Sequence, residues 1–178
     1  MNGTLSIIDR RKNIFKLAQG EYVAAEKLET LFLGATTIGQ IFVYGNSFEN
    51  SLVAIVVPDP LGLIPRIRAD QTVIPLCEVP VLSADLNSWL EPFHRLCSNN
   101  IFQPFIEEFI LEEMNSIAKE AGLSGFEYIK AIHLEANLNH LLQGFSVEND
   151  MLTPTFKLKR KAIQSHYEDI IAQLYIKI

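Results

Sequence analysis

Two apolar runs constrain the fold of this chain more firmly than any other feature. Ile38 to Gly45 and Leu52 to Val57 are rich in β-branched and aromatic side chains, and the polar stretch Asn46-Ser47-Phe48-Glu49-Asn50-Ser51 separates them. Such residues suit a pleated, packed surface, so the runs predict two core strands joined by a turn, with Pro58 ending the second. Helical patterns surround them. Ala24 to Phe32 predicts a helix with Glu26, Lys27 and Glu29 on its wet side and Gly34 as its stop signal. Ser83 is placed to cap a helix passing through Trp89 to about Cys97. A longer helix is expected from about Ile101 to Ala121, because Phe102, Phe105, Ile106, Phe109, Ile110, Met114, Ile117 and Ala121 follow helical spacing. Tyr128 to Glu135 suits another strand. A last helix is expected from near Lys159, with Ile163, Tyr167, Ile170, Ile171, Leu174 and Tyr175 on one face.

The N-terminal end reads as β-structure. Thr4 to Ile8 suits a short strand, and Asn13 to Val23 a hairpin turning at Gln19-Gly20. Residues 58–82 carry Pro58, Pro60, Pro65, Pro75 and Pro80, which interrupt every pattern and predict an extended excursion. Strands and helices interleave without a regular βαβ rhythm. The expectation is therefore an α+β fold, a small mixed or antiparallel sheet with an N-terminal β-hairpin, packed by helices as one domain over residues 1–178.

Of the 178 residues, 48% are apolar, enough for a real core. No run of about 18 uninterrupted apolar residues exists, which argues against a membrane-spanning helix. The start lacks the basic-then-apolar layout of a secretory signal. Cys77 and Cys97 stand far apart and form no CxxC pair, so two buried thiols in a reducing, intracellular compartment are expected, with the particular compartment open. The net charge of −6 is unevenly spread: residues 1–30 are net +1, residues 156–178 net +3, and the middle net −10. An acidic body does not draw a polyanion by its overall field, so nucleic acid is not an expected partner. An anionic ligand should meet the two ends.

Both ends carry segments suited to that. In DRRKNIFKLAQGEYVA (9–24), four cations lie within seven residues and a glycine sits at a hairpin turn. Long cationic side chains beside a turn can reach phosphates, and glycine lets a ligand approach the backbone. An ordinary basic surface hairpin would show the same pattern. In ENDMLTPTFKLKR (148–160), a proline-containing loop leads into a helix with Lys157 close to the junction. A lysine there can project a mobile point charge into an anionic site, or the segment can be a solvated basic first turn. The latter would be unfavourable, since cations at a helix N-terminus oppose its dipole.

Together these segments, with IFVYGNSFENSLVAIVVPD (41–59) between them, resemble adenylate-forming enzymes and in particular the long-chain acyl-CoA synthetases, from about Gly3 to the C-terminus. The resemblance implies the small C-terminal lid domain of an ATP-dependent, AMP-forming ligase that makes fatty acyl-CoA through an acyl-adenylate. It implies ATP and CoA as co-substrates, magnesium accompanying ATP, and the large N-terminal domain of the same enzyme as partner. The phosphate loop and ribose-binding motif of that domain are not in this sequence, so the chain alone is expected to be inactive. By position in the motifs, Lys157 resembles the adenylation lysine, Lys12 the hinge, and Arg10 the arginine that meets the ribose. Lys16, Gly20, Glu21 and Tyr22 resemble the loop turned toward CoA. Phe156 stands where many adenylating enzymes have glycine, and Ala25 where proline is common. The segment 61–80 matches nothing in the family pattern. A different class remains open: a stand-alone module that binds a nucleotide, CoA or a protein without turnover.

Other chemistry-bearing residues fit simpler roles. Glu107, Glu108, Glu112 and Glu113 are expected on the wet face of the long helix, and no metal site is expected from them. His94, His133, His140 and His166 show no ligand spacing.

Overall fold

A strand buried on both faces organises the molecule. The structure is a computed structural model that describes residues 14–70 and 74–178. Strand β4 (Leu52–Pro58) is buried at every position. Successive side chains of a strand point to opposite faces, so both faces of β4 must be covered. It is the middle strand of a three-stranded sheet. β3 (Ile38–Tyr44) pairs antiparallel on one side, with Phe42 opposite Ile55, and β5 (Ile129–Leu134) pairs parallel on the other, with Val53 opposite Ala131.

A second, two-stranded sheet is the expected hairpin: β1 (Ile14–Lys16) against β2 (Tyr22–Ala24), Phe15 opposite Val23. It sits on the turn between β3 and β4. A Cβ at Gly45 would come within 2.6 Å of the Phe15 ring and 2.7 Å of the Leu52 side chain, so any larger residue would have to push these aside for the hairpin to settle there. Ala18 N–H donates to Glu49 O at 3.0 Å, and Gln19 Nε2 to Asn50 O at 3.1 Å.

Six helices are described: α1 (Ala25–Phe32), α2 (Pro60–Ala69), α3 (Asn87–Ser98), α4 (Gln103–Glu120), α5 (Arg160–His166) and α6 (Glu168–Lys177). The α+β class, the hairpin, the two central strands, β5 and the long helix agree with the sequence reading. The strand expected over Thr4 to Ile8 lies outside the described residues.

Four expectations are corrected. The excursion over 58–82 contains helix α2, because Asp59 caps it through the Leu61 N–H at 2.9 Å and Pro60 occupies the first turn, where proline needs no donor. Ser83 does not cap α3; its hydroxyl bonds Asp85 O and Ser88 Oγ, and the helix starts at Asn87, whose N–H the Asp85 carboxylate accepts. The last helix is two, α5 and α6, broken at Tyr167, whose hydroxyl donates to Glu135 at 2.6 Å. Cys97 is buried and burial pushes its thiol well up, but Cys77 is exposed.

The acidic face of α4 is not wholly wet either. Glu113 accepts from the buried Thr37 hydroxyl and pairs with Arg66, whose guanidinium lies 4.8 Å from the Phe109 ring centroid. This joins α2 and α4 to the entry of β3. At that junction α2 presses against backbone: a Cβ on Gly62 would fall 1.7 Å from Thr36 O. Gly62→Ala should therefore lower stability by about 1–3 kcal/mol, read from the urea midpoint, as expected for forced overpacking. Gly125→Ala, with nothing within 4 Å of its would-be Cβ, should change it little.

Candidate functional site

The lysine of the C-terminal motif is presented by a tight turn. Leu152 and Leu158 form an antiparallel bridge, and the chain reverses between them. Thr153 N–H donates to Lys157 O and Phe156 N–H to Thr153 O, both at 2.8 Å. The Lys157 N–H returns a bond to Thr153 Oγ1 at 3.1 Å, and the Thr153 and Thr155 hydroxyls lie 3.0 Å apart. Both backbone polar groups of Lys157 are thus tied to one residue. Phe156 takes φ 57°, a left-handed conformation that costs a residue with a Cβ roughly 1–2 kcal/mol.

What holds this turn to the domain is a buried ion pair. Arg160 Nη1 meets both carboxylate oxygens of Glu29 at 2.8 and 2.9 Å, and Nη2 donates to Val43 O at 2.6 Å. Glu29 also accepts the Val43 N–H at 2.8 Å, while the guanidinium lies 4.9 Å from the Phe42 ring centroid. Helix α1, strand β3 and the start of α5 are fastened at one point. Glu29 is only 6% exposed. Burial raises its carboxyl pKa above the ordinary value, against the opposing pull of Arg160 and the Val43 N–H.

The sequence reading is corrected here: Glu29 is not on a wet face, and Arg160 is not a solvated cation. A signal existed, since Ala25, Leu28, Glu29 and Phe32 form the buried stripe of α1 at helical spacing. The neighbouring cations divide cleanly. Lys159 pairs with Asp150 and Arg160 with Glu29, whereas Lys157 is exposed and its ammonium makes no ion pair among the described residues.

Lys157 and Phe156 border a cleft of about 270 Å³ that Glu26 and Thr30 of α1, Leu33 just after it, and Gly39 to Ile41 of β3 also line. It is open and mixed in polarity, a place where a ligand or another surface can meet Lys157. Among the described residues no group of three or more His, Cys, Asp or Glu is arranged to hold a metal.

The hairpin residues form a separate surface. Gly20 has φ 96° at the turn, where Gly20 N–H donates to Leu17 O and Leu17 N–H to Glu21 O. Lys16 Nζ lies 5.7 Å from the Tyr22 ring centroid, and Glu21 and Tyr22 are exposed. None of the four lines the Lys157 cleft. That cleft borders the start of β3, while the hairpin turn is bonded to the loop beyond its end. The structure therefore gathers Lys16, Gly20, Glu21 and Tyr22 together and sets Lys157 apart from them. Arg10 and Lys12 lie outside the described residues.

Comparison with known proteins now bears on this geometry. No family model matches the chain. Over 174 residues it is 44% identical to long chain acyl-CoA synthetase 2 of Arabidopsis thaliana, covering 98% of this chain and 22% of that protein. Over 173 residues it is 40% identical to long-chain-fatty-acid–CoA ligase 6 of Homo sapiens, covering 97% and 21%. This chain is a homologue of the long-chain acyl-CoA synthetases. It spans about a fifth of the length of these relatives and matches their C-terminal portion. Among solved structures, the adenylation domain of a carboxylate reductase from Mycobacterium chelonae aligns with a TM-score of 0.68 at 30% identity, covering 95% of this chain and 20% of that one. The A-PCP didomain of carboxylic acid reductase from Segniliparus rugosus, in complex with AMP, aligns at 0.66 and 26%, covering 96% and 18%. The fold is that of part of an adenylate-forming enzyme.

The Glu29–Arg160 pair gives a test of how this acyl-CoA synthetase homologue holds its lysine turn. Arg160→Met leaves a buried carboxylate without its cation and should cost about 3–5 kcal/mol at neutral pH. With the folded-state carboxyl pKa raised further, the native state holds its proton more tightly than the unfolded state. The deficit should then be full at neutral pH and shrink as pH falls toward the ordinary glutamate value. Urea titrations of both proteins between pH 4.5 and 7.5 measure it.

Proposed function

We propose that this chain is the closing domain of an ATP-dependent, AMP-forming ligase that converts long-chain fatty acids to their CoA thioesters. One observation supports the reading above the rest. Of the cations Lys157, Lys159 and Arg160, the one at the position of the adenylation lysine makes no ion pair among the described residues, and its turn is anchored by the largely buried pair of Arg160 with Glu29. Similarity over nearly the whole chain to ligases of this kind supports it as well.

In the first step a carboxylate oxygen of the fatty acid attacks the α-phosphorus of ATP, and pyrophosphate leaves. Negative charge builds on the phosphoryl and carboxylate oxygens as the pentavalent centre forms. The Lys157 ammonium would donate to those oxygens, and because its backbone is already fixed, little reorganisation is needed. Magnesium would enter with ATP as part of the substrate, held chiefly by phosphate oxygens. In the second step the CoA sulfur attacks the acyl carbonyl carbon and AMP departs with the mixed-anhydride oxygen. Lys16 and the loop of Gly20, Glu21 and Tyr22 would then face the CoA path. That the hairpin residues do not line the Lys157 cleft favours their use in turn. Lys12 would be the pivot between the two orientations, Arg10 would meet the ribose, and the remaining, larger part of the ligase would bring the ATP and acyl pockets.

In the complete ligase, Lys157→Ala should slow pyrophosphate release about 100- to 1000-fold, the usual loss for one preorganised donor. Thioester formation from supplied acyl-adenylate should persist. Lys161→Ala should leave both rates near wild type, since that side chain is exposed on the far side of the anchored turn's last residue. Intact pyrophosphate release in Lys157→Ala would sink the proposal.

A further inference from the structure

Three turns of this chain share one hydrogen-bond pattern. In each, the first N–H donates to the fifth carbonyl and the fourth N–H to the first carbonyl: Leu17 to Glu21, Asn139 to Gln143, and Thr153 to Lys157. The fourth residue of each lies at positive φ: Gly20 at 96°, Leu142 at 59° and Phe156 at 57°. That conformation is open to glycine and strained for a residue with a Cβ. Gly20 meets it without a side chain. Leu142 meets it with a side chain packed against the core. Phe156 has neither compensation: its ring is 69% exposed and makes no ring or cation contact among the described residues. Strained backbone of this kind clusters at functional sites, and here it carries a large exposed side chain.

We propose that Phe156 is a positioning residue for adenylation. Its ring seats on an apolar wall in the larger part of the ligase as the Lys157 turn enters the active site, and that contact sets the depth and aim of the Lys157 ammonium. The inference rests on the function proposed above. The occupant is the remainder of the same polypeptide, because this chain spans only about a fifth of its relatives and the ring lies on the open lip of the Lys157 cleft. Leu33, also exposed, lines that cleft and offers a second apolar contact beside the same lysine. Transmission to Lys157 is direct. The two residues adjoin, and the N–H and carbonyl of Lys157 are both bonded to Thr153, so a ring held in place fixes the backbone from which the lysine projects.

The test uses the complete ligase with Phe156→Gly, Phe156→Tyr and Lys157→Ala, measuring pyrophosphate release separately from thioester formation on supplied acyl-adenylate. Glycine relieves the backbone, so misfolding does not confound the result. Phe156→Gly should slow adenylation about 10- to 100-fold, as for a displaced reacting group, and leave the thioester step unchanged. Phe156→Tyr, which keeps the ring, should adenylate like wild type. Wild-type adenylation by Phe156→Gly, or equal loss in both half-reactions, would overturn the inference. If Lys157→Ala slows adenylation and Phe156→Gly does not, only the role of Phe156 falls. If Lys157→Ala has no effect, the lysine reading itself is wrong.

Discussion

The ion pair of Glu29 with Arg160 joins what the rest of the molecule needs joined. Burying either charge alone would be costly, and together they satisfy one another and the unpaired edge of β3 at the buried Val43. A hydrophobic contact of similar size could hold the same elements, but without direction. The guanidinium fork accepts only one geometry. By fixing the first residue of α5, it fixes the register of the turn three residues earlier. Lys157 is therefore exposed without being adrift.

That anchoring works because the central sheet is a rigid reference. β4 is buried throughout, and β3 is held between it and α1. The hairpin rests on the same sheet at Gly45, through a contact that a larger residue would crowd. Two surfaces of different character are thereby mounted on one frame. Around the lysine lies a cleft with an apolar lip. Around the hairpin lie an exposed tyrosine, a lysine and a glycine at the turn. Both surfaces therefore keep a fixed relation to one sheet.

Much of this was legible in the residues, and what was not has physical causes. The β-branched runs declared β3 and β4: β4 is buried on both faces and has no place for polar side chains, and β3 keeps its buried positions apolar while Gln40 bonds the chain at Gly144 and Phe145. Lys157 was singled out through its segment, TPTFKLKR, rather than through charge, and the structure shows it exposed on a turn. Glu29 was misread because a carboxylate on a helix is usually wet, and only its partner 131 residues away explains its burial. Helix α2 was hidden by its prolines: Pro60 begins the helix, and Pro65 is tolerated within it. The break at Tyr167 depends on a hydroxyl reaching Glu135 on another element, which no local pattern reveals. Lys12 and Arg10 rest on the family resemblance.

The parallel pairing of β4 with β5 has a consequence for the birth of the protein. A parallel neighbour requires a crossover, and here α2, α3 and α4 all intervene. On a ribosome, β4 emerges with β3 already available on one edge, while its other edge waits for residue 134. At about 5–20 residues per second the wait is roughly 4–15 s. During it, an all-apolar strand shows unpaired backbone to its surroundings, the kind of edge that captures other nascent chains. Chaperone demand should thus be greatest while the crossover is being made, and should fall once β5 has docked.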